Sequence, residues 1–112
     1  MSLDINEMQE RQRALQAKYA GWWEPVDPEH GRNKLLWMIA EMGEAIQLIK
    51  RHSTQEFLEA THARRDFIEE MADVLMYFND VLICYNISPE EFAAIYREKN
   101  EYNMTRWKKP DK

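Results

Sequence analysis

Apolar residues recur along the chain at three- and four-residue intervals and do not alternate, so the pattern predicts helices and no strands. Ile5, Met8, Leu15 and Tyr19 carry this rhythm after Asp4, which has Glu7 at capping-box spacing; a first helix is predicted over about residues 5 to 20, closed by Gly21. The segment GWWEPVDPEHG holds two Pro and two Gly in eleven residues and reads as an ordered loop pinned by Trp22 and Trp23, able to cover a pocket. A second helix is predicted from near Arg32 through LLWMIAEMGEAIQLIKR, where strong helix formers dominate and only Gly43 interrupts. Residues 52 to 63 are polar and read as a connector, with a short helix capped by Ser53 and closed by Glu56.

The third helix, about 64 to 85, is apolar around most of its circumference, which predicts burial on more than one side and a place at the centre of the core. After Tyr85, Ser88 is an N-cap, Pro89 sits at the first helical position and Glu91 closes a capping box, so a fourth helix is expected from 89 to about 104. Four helices without repeats make an antiparallel four-helix bundle, all-α and spanning residues 1–112 as one domain, the economical architecture. Apolar coverage beyond what one chain can bury predicts a homodimer or homotetramer.

Composition narrows the classes. Hydrophobic residues make up 45% of the chain, with four Trp and seven Met, which excludes a disordered chain. The single cysteine, Cys84, excludes an internal disulfide or a Cys-based zinc cluster and suits a reducing compartment. No signal-peptide core is present and no apolar run approaches the ~18 residues of a membrane span, so a cytoplasmic protein without a membrane partner is expected. The net charge of -5 argues against a nucleic-acid polymer as ligand. Its distribution is more telling: Leu35 to Ile49 and Asp66 to Tyr85 contain no Lys or Arg, whereas Arg97 to Lys112 carries six against three acids.

Glu41 and Glu44 lie three residues apart on the second helix and face the same way, with Gln47 continuing the line. On the third helix Asp66, Glu70, Asp73, Tyr77 and Asp80 share one stripe, with Glu69 at its edge. An isolated pair of helical acids is usually a solvated face. Such faces mix in Lys or Arg, because like charges one turn apart destabilise a helix, yet these stripes lack basic residues. Carboxylates gathered between apolar helices would become protonated unless a cation held them. All-oxygen ligands favour Mg2+, with Mn2+ as a possible substitute, and Mg2+ commonly shares phosphate oxygens of a substrate.

The words AEMGEAIQ and EEMADVLMYFND, with Glu41-x-x-Glu44 and Glu70-x-x-Asp73 separated by about 25 residues, resemble the acidic motifs of the all-alpha NTP pyrophosphohydrolase superfamily, which includes MazG-like enzymes, dimeric dUTPases and dCTP pyrophosphatases. A third element, Tyr96-x-x-Lys99-x-x-x-Asn103-x-x-Arg106, is similar to the phosphate-binding pattern near the end of that family's core, and the three together span roughly residues 30 to 107. The resemblance implies hydrolysis of a nucleoside or deoxynucleoside triphosphate to the monophosphate and pyrophosphate, as in nucleotide-pool housecleaning. It implies metal ligation by Glu41, Glu44, Glu70 and Asp73, with Glu41 or Glu44 first as general base and Glu69 as an outside candidate. Lys99, Asn103 and Arg106 would grip phosphates, and Trp37 or Tyr77 would stack on the base. Trp22, Trp23 and Asn79 are weaker base-binding candidates. Length and the Trp-rich loop depart from the dUTPase pattern, so base and sugar stay open.

Two other readings fit parts of the sequence. A non-catalytic helical oligomerisation or interaction protein would account for the apolar helices but not for the acid stripes. A di-iron carboxylate bundle needs two ExxH pairs in the core, and only Glu59-x-x-His62 fits, in the polar connector.

Overall fold

In a computed structural model, residues 1–110 are described, and all the regular secondary structure among them is helical. α1 spans Ile5–Lys18, a single 3-10 turn Pro28–His30 leads into α2, Gly31–Arg51, and α3 is the short Thr54–Leu58. α4 runs His62–Cys84 and α5 Pro89–Arg106. The expected capping residues start the helices: Asp4 accepts from the Glu7 amide and Ser88 from the Glu91 amide. Ser53 and Glu56 form the full reciprocal box on α3.

α2 and α4 pack along one another as an antiparallel pair, because α3 folds the chain back; Phe57 on α3 lies against both His52 and Phe67 at that end. At the other end the Tyr85 ring occupies the place a Cβ on residue 31 would take, within 2.5 Å, so Gly31 lets the end of α4 close over the start of α2. α4 then stops in a left-handed cap at Asn86 (φ 57°), with Ile87 donating to the Leu82 carbonyl and Asn86 to that of Ile83. α1 lies on α4, and α5 leaves the pair, touching α1 and setting Phe92 against Phe78 at 5.2 Å.

The face of α1 turned inward is not centred on its apolar rhythm. Gln9, Gln12 and Gln16 are its buried residues, while Ile5, Met8, Leu15 and Tyr19 are half-buried flanks. The glutamines take the centre because α4 and the turn after it offer them partners: Gln12 and Gln16 both donate to Asp80 on α4, and Gln9 donates to the Ile87 carbonyl beyond its end. Apolar burial is slight elsewhere, the buried apolar residues being Ala45, Ala63, Leu82, Ile83 and Cys84. Along α2, Leu35, Ile39, Met42, Ile46 and Ile49 stand 44% to 56% exposed in alternating steps of four and three. Ile68, Met71 and Leu75 do the same on α4. None of the described helices is long and apolar enough to cross a membrane.

Candidate functional site

Halfway along the α2–α4 pair, one carboxylate oxygen each from Glu41, Glu70 and Asp73 come within 4.8 Å of one another. The antiparallel packing makes this meeting, since the Glu41 face of α2 is the one laid on the Glu70–Asp73 face of α4. All three side chains are half-buried. The proton that Glu70 and Glu41 can share as a hydrogen bond is the main influence raising the Glu70 pKa, followed by burial and the charges of Glu41, Glu44 and Glu69. Burial, then the charges of Glu70 and Glu69, raises that of Asp73. When both are ionised, Glu41 and Glu70 have no donor between them, and Glu70 Oε2 is shut from solvent with no hydrogen-bond partner. A carboxylate with an orphaned oxygen, grouped with two further carboxylates, fits a divalent cation with oxygen ligands.

Glu44 stands outside this triad on the exposed side of α2, near enough for its charge to act on Glu70. Glu69 is exposed and paired with Arg65, whose Nε donates at 3.1 Å; the α4 stripe thus receives one basic neighbour from the turn before it. Glu59 accepts from Gln55 on the surface.

Beside the triad opens a cavity of about 680 Å³, to which Glu41 and Asp73 contribute. Trp37 and Tyr77 line it as an edge-to-face pair with centroids 6.0 Å apart. Burial, with the charges of Glu41, Asp80 and Asp73, raises the Tyr77 pKa and keeps its phenol a donor. The loop supplies Trp22, Trp23 and Glu24. Trp23 stacks on Tyr19 at 4.4 Å, and Glu24 ties the loop to α2 by accepting from Asn33 Nδ2 at 2.6 Å, while its carbonyl accepts from Lys34 Nζ at 3.1 Å. Asn79 lies elsewhere, on a second, smaller cavity with Met8 and Leu75, donating to the Leu75 carbonyl.

Lys34, Gln12, Gln16 and the inward role of Asp80 went unnoticed in the sequence. Their signals were present: Lys34 stands two turns before Glu41 on one face, and Gln9, Gln12 and Gln16 form a stripe of their own. On α5, Lys99 lies 5.4 Å from the Tyr102 ring centroid, and Arg106 stacks on Trp107 at 3.7 Å. Asn103 Oδ1 is shut from solvent without a partner. No hydrogen bond or ion pair among the described residues joins these three to the triad. Comparison of the chain with protein-family models, curated proteins and solved structures returns no match.

Proposed function

We propose that the protein is a magnesium-dependent nucleoside triphosphate pyrophosphohydrolase. The observation that carries this reading is the carboxylate triad Glu41, Glu70 and Asp73 at an aromatic cavity large enough for a nucleoside. Glu41, Glu70 and Asp73 would hold Mg2+, with Glu44 beside them; bound there, the ion would neutralise phosphate oxygens and lower the pKa of a coordinated water. Glu44 or Glu41 takes the proton of the water that attacks the alpha phosphorus. The bond to the bridging oxygen breaks, and pyrophosphate leaves with that oxygen. Trp37 and Tyr77 flank the base in the cavity. Lys99, Asn103 and Arg106 serve the phosphates in this reading, as the resemblance of their spacing implies.

A homodimer or homotetramer belongs to the same reading, supported by the exposed apolar rows of α2 and α4. Those rows also favour the second reading, a non-catalytic oligomerisation protein. The two separate on a panel of ribo- and deoxyribonucleoside triphosphates, with and without magnesium, with products resolved by phosphorus NMR. Monophosphate and pyrophosphate in equal amounts, formed only with the metal, are expected. Cleavage of no triphosphate, together with a melting temperature that magnesium leaves unchanged in both wild type and Glu44→Gln, would reject the enzyme in favour of the oligomerisation protein.

A further inference from the structure

The polar side chains of the cavity are unevenly matched. Lys34 and Asp80 are each 2% exposed, the most buried of its lining residues, and Gln12 and Gln16 are buried beside them. Asp80 accepts from Gln12 Nε2 at 2.8 Å through Oδ1 and from Gln16 Nε2 at 3.1 Å through Oδ2. An ionised carboxylate only accepts, so both glutamines must turn their N–H groups to it, and both carbonyl oxygens are left to other partners. Each Asp80 oxygen keeps a second lone pair. Against these acceptors stands one cation, Lys34, which gives one N–H to the Glu24 carbonyl, lies 5.0 Å from the Trp37 ring centroid and has donors in reserve. Each glutamine also keeps one N–H and can therefore meet either a donor or an acceptor, whereas Asp80, when ionised, can only accept, and it is buried at the cavity wall among them.

We infer that this group of Asp80, Gln12, Gln16 and Lys34 is a specificity element that selects bases carrying an exocyclic amino group. The inference rests on the nucleotide reading above and names its substrate class. The amino N–H groups of a cytosine, adenine or guanine meet Asp80 and a glutamine carbonyl, and the adjacent ring nitrogen or carbonyl takes Lys34. The deaminated counterpart places a carbonyl oxygen where the amino group was, against a carboxylate, and leaves a buried acceptor unpaired. A mismatch of this kind costs about 10- to 100-fold in affinity.

The test uses the full chain and matched pairs that differ only in amino against keto, cytidine with uridine and adenosine with inosine. Each is titrated without divalent metal while the fluorescence of Trp22, Trp23 and Trp37 is followed. The amino member is expected to bind at least about 10-fold more tightly in both pairs. The gap should narrow in Asp80→Asn, whose amide can donate to a carbonyl. If that variant does not fold, Gln16→Met replaces it, removing one carbonyl acceptor while leaving the Asp80–Gln12 bond. Equal or tighter binding of the keto members overturns the inference, as does a folded variant with an undiminished gap. Lack of nucleoside binding in either pair also overturns it, and leaves the hydrolase reading standing if triphosphates are still cleaved with magnesium. The predicted preference without any cleavage defeats the hydrolase reading alone.

Discussion

Glu70 shows how a single side chain can be out of balance with its surroundings. It gains little from the fold by itself: its neighbours are carboxylates, burial disfavours its charge, and Oε2 has no hydrogen-bond donor. Replacing it with an amide of the same shape removes the repulsion and adds a donor toward Glu41. In metal-free buffer, Glu70→Gln is therefore expected to stabilise the protein by about 1 kcal/mol, raising the melting temperature by about 4 °C. If the triad holds magnesium as proposed, the order is expected to reverse with the metal present, because the wild type would gain binding energy that the variant has lost. Calorimetric scans of both proteins with and without magnesium read this directly. A variant that melts below wild type in metal-free buffer would show that Glu70 has a stabilising partner in the fold.

At the scale of the elements, the loop before α2 rests on a titrating pair. His30 Nδ1 is hydrogen-bonded to Asp27, which raises the His30 pKa, helped by the charges of Asp27, Glu24 and Glu29 against the effect of burial. The same bond lowers the Asp27 pKa. A raised histidine contributes stability below its ordinary value of 6.5 and loses it as pH climbs through the folded value. A lowered aspartate contributes above its ordinary value of 3.8 and loses it as pH falls through the folded value. Asp27→Asn should accordingly melt furthest below wild type between these two values, with the gap closing on either side. Melting curves across that range test it, and a gap independent of pH would assign the loss to something other than the pair.

The elements also show what a sequence discloses. Helix starts were legible because a cap is a local contract between residues three apart, as at Asp4, Ser53 and Ser88. Glu41, Glu70 and Asp73 were legible as a cluster because helical spacing fixes a face and α2 and α4 had to pair. The inward face of α1 was not, since a glutamine is buried only when a distant residue accepts its hydrogen bond, here Asp80, 64 and 68 positions away. Lys34 was hidden for the same reason, its ammonium being anchored by a loop carbonyl ten residues back.

For the molecule as a whole, shape and surface point the same way. Its radius of gyration is 17.3 Å, against about 13 Å for a compact chain of this length. The rows Leu35–Ile49 on α2 and Ile68–Leu75 on α4 stay half exposed, although burying each such side chain is worth about 1.5–3 kcal/mol. The alternating steps of four and three on α2 are those of a helix seam. The protein is expected to sediment as a dimer or tetramer at micromolar concentration, and the double variant Ile39→Lys, Ile46→Lys as a monomer. A monomeric wild type would show that the apolar rows are not an interface between copies.

The triad between α2 and α4 is proposed to hold the metal on which triphosphate hydrolysis would depend. The most direct test of this claim is the rate of pyrophosphate release from the best nucleotide, with magnesium and with chelator, for wild type and Asp73→Asn. Turnover that requires magnesium and falls by about 100-fold or more in a variant of unchanged helicity is the predicted result. Turnover that survives chelation, or that Asp73→Asn leaves intact, would contradict the claim.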